Sequence, residues 1–258
     1  MNKPGNVTAA GLGARLKMLR SGALPIIALA IIATVLIYPG SFLAMAEIWL
    51  RSDTFAHGLI VLPVFIYLIF RQRKVLAGLR PRPFWPGLFV LLGLGLIWST
   101  ARYLGVNALE QFAAVAIIPA AVMTMAGLSV IRATAFPMLF LFFAVPFGEF
   151  LIPQLMEITA DLTTLFLQLT GFPVYRTGLF IAVPGGDFEI AKACSGIRYL
   201  IASVVLGTNF AYLTFNSLRK RLIFIAISIV VPIVANGIRA YMIVVLASLS
   251  GMKLAVGV

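Results

Sequence analysis

Leu222-Ile-Phe-Ile-Ala-Ile-Ser-Ile-Val-Val-Pro-Ile-Val-Ala-Asn236-Gly237-Ile-Arg239-Ala-Tyr-Met-Ile-Val-Val-Leu-Ala-Ser-Leu249 decides how the rest of the chain is read. About 20 consecutive apolar residues suffice to cross a bilayer as a helix, and this run is longer and contains one charged residue. The run is therefore a membrane span. Arg219-Lys220-Arg221 stops it on one side, and a basic stop marks the cytoplasmic end of a span. Arg239 lies about ten residues before the other end, in the outer half of the bilayer. An arginine there costs about 2.5–3.5 kcal/mol on insertion scales, so it is retained for a reason. Asn236 at i−3 shares its face and is expected to orient the guanidinium, while Pro232 and Gly237 are expected to loosen the helix locally.

Working outward, the whole chain has the same character. Of 258 residues, 62% are hydrophobic and 11% charged, where a soluble domain has about 45–50% apolar content. Mean hydropathy is +1.07. The net charge of +12 does not indicate nucleic acid, because the basic residues cluster between apolar runs rather than on a soluble face. One cysteine excludes an internal disulfide, and one cysteine with one histidine offers no metal site. No cofactor motif is present. Any thiol chemistry rests on a free thiol.

Apolar runs recur at Leu24–Tyr38, Thr54–Phe70, Phe84–Thr100, Phe112–Val130, Ala133–Phe150, Ser195–Phe215 and Leu222–Leu249. With residues 1–23 read as a cytoplasmic leader and residues 24–258 as one integral-membrane domain, 13 of the 20 Lys and Arg fall on cytoplasmic segments. That is the bias the positive-inside rule requires. All eight Asp and Glu then lie outside. Asn6-Val-Thr8 matches a glycosylation sequon on the wrong side of the membrane, and Ala44-Met-Ala46 resembles a signal cleavage site. Residues 41–56 read as an interfacial segment anchored by Trp49.

Residues 153–170 differ from the spans. Leu155, Ile158, Leu162, Leu165, Phe166 and Leu169 form one stripe, and Glu157, Asp161, Thr164 and Gln168 another, which predicts an amphipathic helix with a solvated acidic face. Val174–Val183 and Phe188–Lys192 then read as two strands joined by Pro184-Gly-Gly-Asp187. The fold class is thus an all-α polytopic membrane protein, with about seven transmembrane helices, an outer amphipathic helix and a short extracytoplasmic β-hairpin.

That hairpin delivers Cys194 to the start of the next span. A helix entrance favours a thiolate through its unpaired N–H groups and dipole, and Lys192 and Arg198 add positive charge, the latter at i+4. Ser195-Gly196 permits close approach of the backbone to a ligand. The pattern makes Cys194 a candidate nucleophile with Arg239 its electrostatic partner. Ser195, Gly196, Arg198, Asn236 and His57, the last at the outer end of the second span, are candidate site-lining residues. Arg198 also suits a substrate carboxylate.

Ala193-Cys194-Ser195-Gly196-Ile197-Arg198 followed by Asn236-Gly237-Ile238-Arg239 resembles the exosortase family, and most of all its exosortase A branch. Asp53-Thr-Phe-Ala-His57-Gly58 resembles the family's N-terminal region, and the likeness extends from about residue 40 to the end. It implies a bacterial inner-membrane cysteine protease-transpeptidase with its site on the periplasmic side, linked to exopolysaccharide-associated protein sorting. Its partners would be proteins carrying PEP-CTERM signals and membrane lipids, with an acceptor nucleophile that the resemblance does not name. By the same analogy Cys194 forms an acyl-enzyme and Arg239 stabilises the oxyanion. The family's third catalytic residue is a histidine downstream of the arginine helix. The sequence given stops at Val258 without one, which leads to the expectation of a C-terminally truncated or inactive form. His57 does not occupy that position. The rival reading is a transporter or export component for a polysaccharide or lipid-linked sugar, since an intramembrane arginine and a polar stripe also suit a substrate path.

Overall fold

The computed structural model describes residues 22–249. The leader therefore lies outside the described residues except for its last two, as do the sequon and the last nine residues. The described chain falls into two compact units that meet in sequence at Pro146 and Phe147.

The first unit is helical. Helices α1 (Leu24–Ile37) and α2 (Pro39–Arg51) stand at 90° to each other, and neither α3 (Gly58–Arg71) nor α4 (Arg73–Gly78) is long. Helices α5 (Gly87–Leu104) and α6 (Asn107–Ala126) are each long and apolar enough to cross a bilayer, and α7 (Leu128–Ala133) and α8 (Ala135–Phe140) follow. Pro39 at the first position of α2 explains the bend, because its ring cannot continue the ladder of α1. A polar cluster closes the bend. The Ser41 hydroxyl donates to Glu110 at 2.6 Å and accepts from the Trp98 indole at 2.9 Å, while Arg102 pairs with Glu110 at 3.2 Å. Residues 41–56 are thus mostly helix. Trp49 is 7% exposed and donates to the Ala144 carbonyl at 2.8 Å, so its ring is held in packing.

The second unit comprises α9 (Ile152–Leu169), a three-stranded antiparallel sheet in the order β1 (Tyr175–Thr177), β2 (Phe180–Val183), β3 (Gly186–Glu189), and the spans α10 (Ile197–Thr214) and α11 (Leu218–Leu249). The single long strand expected over residues 174–183 is broken at Gly178, whose φ of 59° makes a turn that turns one strand into two. Arg176 then pairs with Ile181, and Ile181 with Phe188. Ile181 and Val183 point into a core with Ala160 and Leu167 of α9 and Val244 of α11. The Pro184-Gly-Gly turn runs against α11 so closely that a Cβ on Gly185 would sit 2.6 Å from the Ser248 Cα.

Across the described residues, five helices or helix-turn segments are long and apolar enough to span, six with the bent α1–α2 pair counted as one. The remaining predicted spans fall on shorter apolar helices at Gly58–Arg71 and Ala135–Ala144. The molecule is an all-α polytopic membrane protein with one small sheet. Helix α9 divides its apolar stripe between packed and exposed positions. With the preceding turn it is itself apolar and long enough to cross, and it buries Leu155, Thr159, Ala160, Thr163 and Leu167 while Ile158, Leu165 and Leu169 stay exposed. Where the outer environment is hydrocarbon, the apolar stripe need not face the protein, and small residues take the packed face instead. The threonines are tolerated there because each hydroxyl donates back to its own helix, Thr159 to Leu155 and Thr163 to Thr159, both at 2.7 Å.

Candidate active site

The thiol site is built on the second unit, where a short turn, Lys192–Cys194, follows the sheet. Cys194 is partly buried and packs against the core formed by α9, the sheet and α11. Two residues then separate it from α10. Gly196 takes φ 73°, ψ 6°, a left-handed conformation that only glycine adopts at low cost, and Ile197 opens the helix. Cys194 and Arg198 therefore do not share a helix face as the i+4 spacing predicts, since the helix begins after the break. The first N–H groups of α10 lack a side-chain cap. The positive end of the α10 dipole therefore lies two residues after the thiol in sequence.

Asn236 holds that turn in place. Its Nδ2 donates to the Cys194 carbonyl at 2.7 Å and to the Thr159 hydroxyl oxygen at 3.0 Å. The partners fix the orientation of the amide, because a carbonyl oxygen only accepts and the Thr159 proton is already committed to Leu155. Asn236 is 4% exposed, and a Cβ on Gly196 would lie 2.6 Å from its Cγ. The missing side chain of Gly196 is thus what lets the carboxamide reach the cysteine backbone. This corrects the expected role of Asn236: it positions the cysteine turn instead of the guanidinium. Gly237 is corrected as well. A Cβ there would meet the Leu162 Cβ at 2.7 Å, so glycine serves close packing of α11 on α9, and α11 continues through Pro232 without interruption.

Arg239 follows Asn236 by one turn, and its guanidinium carbon lies 5.9 Å from the Tyr199 ring centroid. The Arg198 guanidinium carbon lies 5.7 Å from the same ring. Tyr199 thus stands within cation–π range of two arginines on different helices. Ser195 is 3% exposed, and its hydroxyl makes no hydrogen bond among the described residues. The turn thus sets Cys194 and Gly196 against Asn236, while Arg198 and Arg239 meet at the Tyr199 ring.

His57 belongs to the first unit. It caps α3, with Nδ1 3.3 Å from the Thr54 carbonyl and Nε2 3.1 Å from the Phe143 carbonyl. Both ring nitrogens thus face carbonyl oxygens, an arrangement that anchors the start of α3. Glu157 and Asp161 are also more than a solvated face. Arg176 of β1 pairs with Glu157 at 2.8 Å and with Asp161, clamping the sheet onto α9. Thr159, Tyr199 and Arg176 are the site-region residues that reading the sequence missed. Thr159 left a trace, a hydroxyl four residues after Leu155 on what proves to be the packed face.

Among the described residues, no cluster of three or more His, Cys, Asp or Glu could hold a metal. The fold and this turn define a class: a multi-pass helical membrane protein presenting a cysteine ahead of a span, tied to the neighbouring arginine-bearing helix. The chain belongs to the transmembrane exosortase family, since the family model described as Transmembrane exosortase (Exosortase_EpsH) matches residues 49–258. Comparison with curated proteins and with solved structures returned no match.

Proposed function

We propose that this exosortase is a membrane cysteine protease-transpeptidase with Cys194 as nucleophile and Arg239 as the oxyanion stabiliser. The observation that carries the reading is the Asn236 carboxamide, which ties the cysteine backbone to the same helix that supplies Arg239 one turn later. The Cys194 sulfur attacks the scissile carbonyl carbon, and negative charge develops on the carbonyl oxygen. A guanidinium fork offers that oxygen charge-assisted hydrogen bonds, which are worth about 3–4 kcal/mol in a dry setting. Collapse breaks the C–N bond, the amine leaves carrying a proton, and the thioester passes its acyl group to an acceptor amine or to water.

The substrates in this reading are exported proteins with C-terminal PEP-CTERM sorting signals, whose transmembrane helix would present the motif at the outer face. The enzyme would sit in the bacterial inner membrane with its thiol on the periplasmic side, in a pathway associated with exopolysaccharide. Substitution tests the reading against a transporter. Cys194→Ala should abolish signal processing, and Arg239→Ala should lower it by roughly 10²–10³-fold, the usual loss of an oxyanion donor. Processing that survives Cys194→Ala while transport fails with Arg239→Ala would favour the transporter.

A further inference from the structure

Away from the thiol, the first unit carries a groove of about 270 Å³ lined by Pro119 of α6, Ile131 and Arg132 of α7, Ala135 and Leu139 of α8, and Phe142. Arg132 is the one charged residue on its walls. Pro119 precedes the end of α6 by seven residues and Phe142 follows Ala135 by seven, so at 1.5 Å per residue the groove extends about 10 Å from the level of Arg132. Its walls are apolar throughout, Arg132 giving them the stem of its side chain, and Arg132 as a whole is exposed. The basic stops at Arg71-Gln-Arg73-Lys74 and at Arg132 assign this end to the cytoplasmic leaflet.

The segments that meet α7 and the end of α6 are basic. Arg71, Arg73, Lys74, Arg80 and Arg82 are exposed, as is Arg132. Helix α4, which bears Arg73 and Lys74, packs against α7, and the Arg82 backbone N–H donates to the Ala126 carbonyl at 3.1 Å. No Asp or Glu occurs in residues 54–109 or 111–148, so no carboxylate of these stretches opposes an anion there. Topology alone accounts for the side on which these charges lie. It does not account for an apolar groove walled by the stem of one of them.

The geometry points to a bound anionic phospholipid, one acyl chain lying in the groove and its phosphate against Arg132. Arginine at such a boundary keeps its stem in the apolar layer and its head at the lipid phosphate. Basic pockets between helices on the cytoplasmic side select anionic headgroups in this way, at about one interfacial cation's contribution per arginine.

The test uses the full chain in phosphatidylcholine nanodiscs, titrated with phosphatidylglycerol, with retained lipid counted by native mass spectrometry. One phosphatidylglycerol should be retained per chain in preference to phosphatidylcholine. Arg132→Gln should weaken that retention about fivefold, and Arg80→Gln, on the same surface outside the groove, less than twofold. Leu139→Trp fills the groove from a position that is 66% exposed and should remove the retained lipid. If that variant fails to accumulate, Ala135→Leu obstructs the same channel and should do the same. Equal effects of Arg80→Gln and Arg132→Gln would overturn the site in favour of general surface charge. So would equal retention of phosphatidylcholine, unchanged retention when the groove is filled, full displacement by inorganic phosphate, or a second copy of the chain protecting the groove.

Discussion

Replacing Asn236 with Asp separates the hydrogen bond from the packing at the thiol site. The two side chains have the same shape, but the donor that faces the Cys194 carbonyl at 2.7 Å becomes an acceptor. In the folded protein two oxygens would then oppose each other, and the Cys194 carbonyl would lose the donor that Asn236 gives it. An unsatisfied buried acceptor costs about 1–3 kcal/mol. Thr159 loses less, since its hydroxyl keeps its own bond to Leu155. A total of about 2–3 kcal/mol is expected for Asn236→Asp, and no less than for Asn236→Ala, which leaves space in place of repulsion. The cysteine turn would relax towards open space, and a displacement of about 1 Å at a nucleophile costs on the order of 10²-fold in rate. The assay is twofold: unfolding in mixed micelles for stability, and turnover of a sorting-signal substrate for kcat and KM. The expected result is a fall of about 10²-fold in kcat with KM within about threefold of wild type, and faster alkylation of Cys194 by a small maleimide. Wild-type turnover and alkylation in Asn236→Asp would refute the hydrogen bond as the element that positions the thiol.

Gly196→Ala should be more damaging than a glycine substitution in ordinary backbone. Its left-handed φ alone costs a side-chain-bearing residue about 1–2 kcal/mol, and the new Cβ would meet the Asn236 carboxamide. Combining it with Asn236→Ala should remove the 2.6 Å contact with Cγ but keep the 2.9 Å contact with Cβ and the backbone cost, so the double variant loses less stability than the sum of the singles and stays well below Asn236→Ala alone, as a thermal unfolding cycle would read. Ser195→Ala should hold or gain up to about 1 kcal/mol, because it deletes a buried hydroxyl with no partner among the described residues. A loss of activity without loss of stability in that variant would instead give the hydroxyl a part in substrate binding.

The membrane fold is legible in the sequence because hydropathy and basic stops are local properties. Each apolar run falls on a helix, and the arginine in the last run sets it apart without any contact being known. What the sequence conceals depends on direction. The stripe on residues 153–170 has the right period but is divided, with Leu155 buried and Ile158, Leu165 and Leu169 exposed, since in hydrocarbon an apolar side chain loses nothing by exposure. The i+4 spacing of Cys194 and Arg198 assumes a helix that Gly196 postpones to Ile197. Asn236 is visible as a polar residue in an apolar span, yet its partner is a backbone carbonyl 42 residues earlier, which no pattern within one helix reveals. Tyr199 and Thr159 matter through what surrounds them in space, and neither stands out as a residue type.

The thiol is the centre of this account, and trapping its covalent intermediate tests it most directly. A sorting-signal substrate incubated with the full-length enzyme in the absence of acceptor, then quenched in acid, should leave its N-terminal fragment joined to Cys194. Hydroxylamine should release the fragment, and Cys194→Ser should form no thioester. Cleavage by Cys194→Ala at the wild-type rate, or a substrate adduct mapped to any other residue, would contradict the claim.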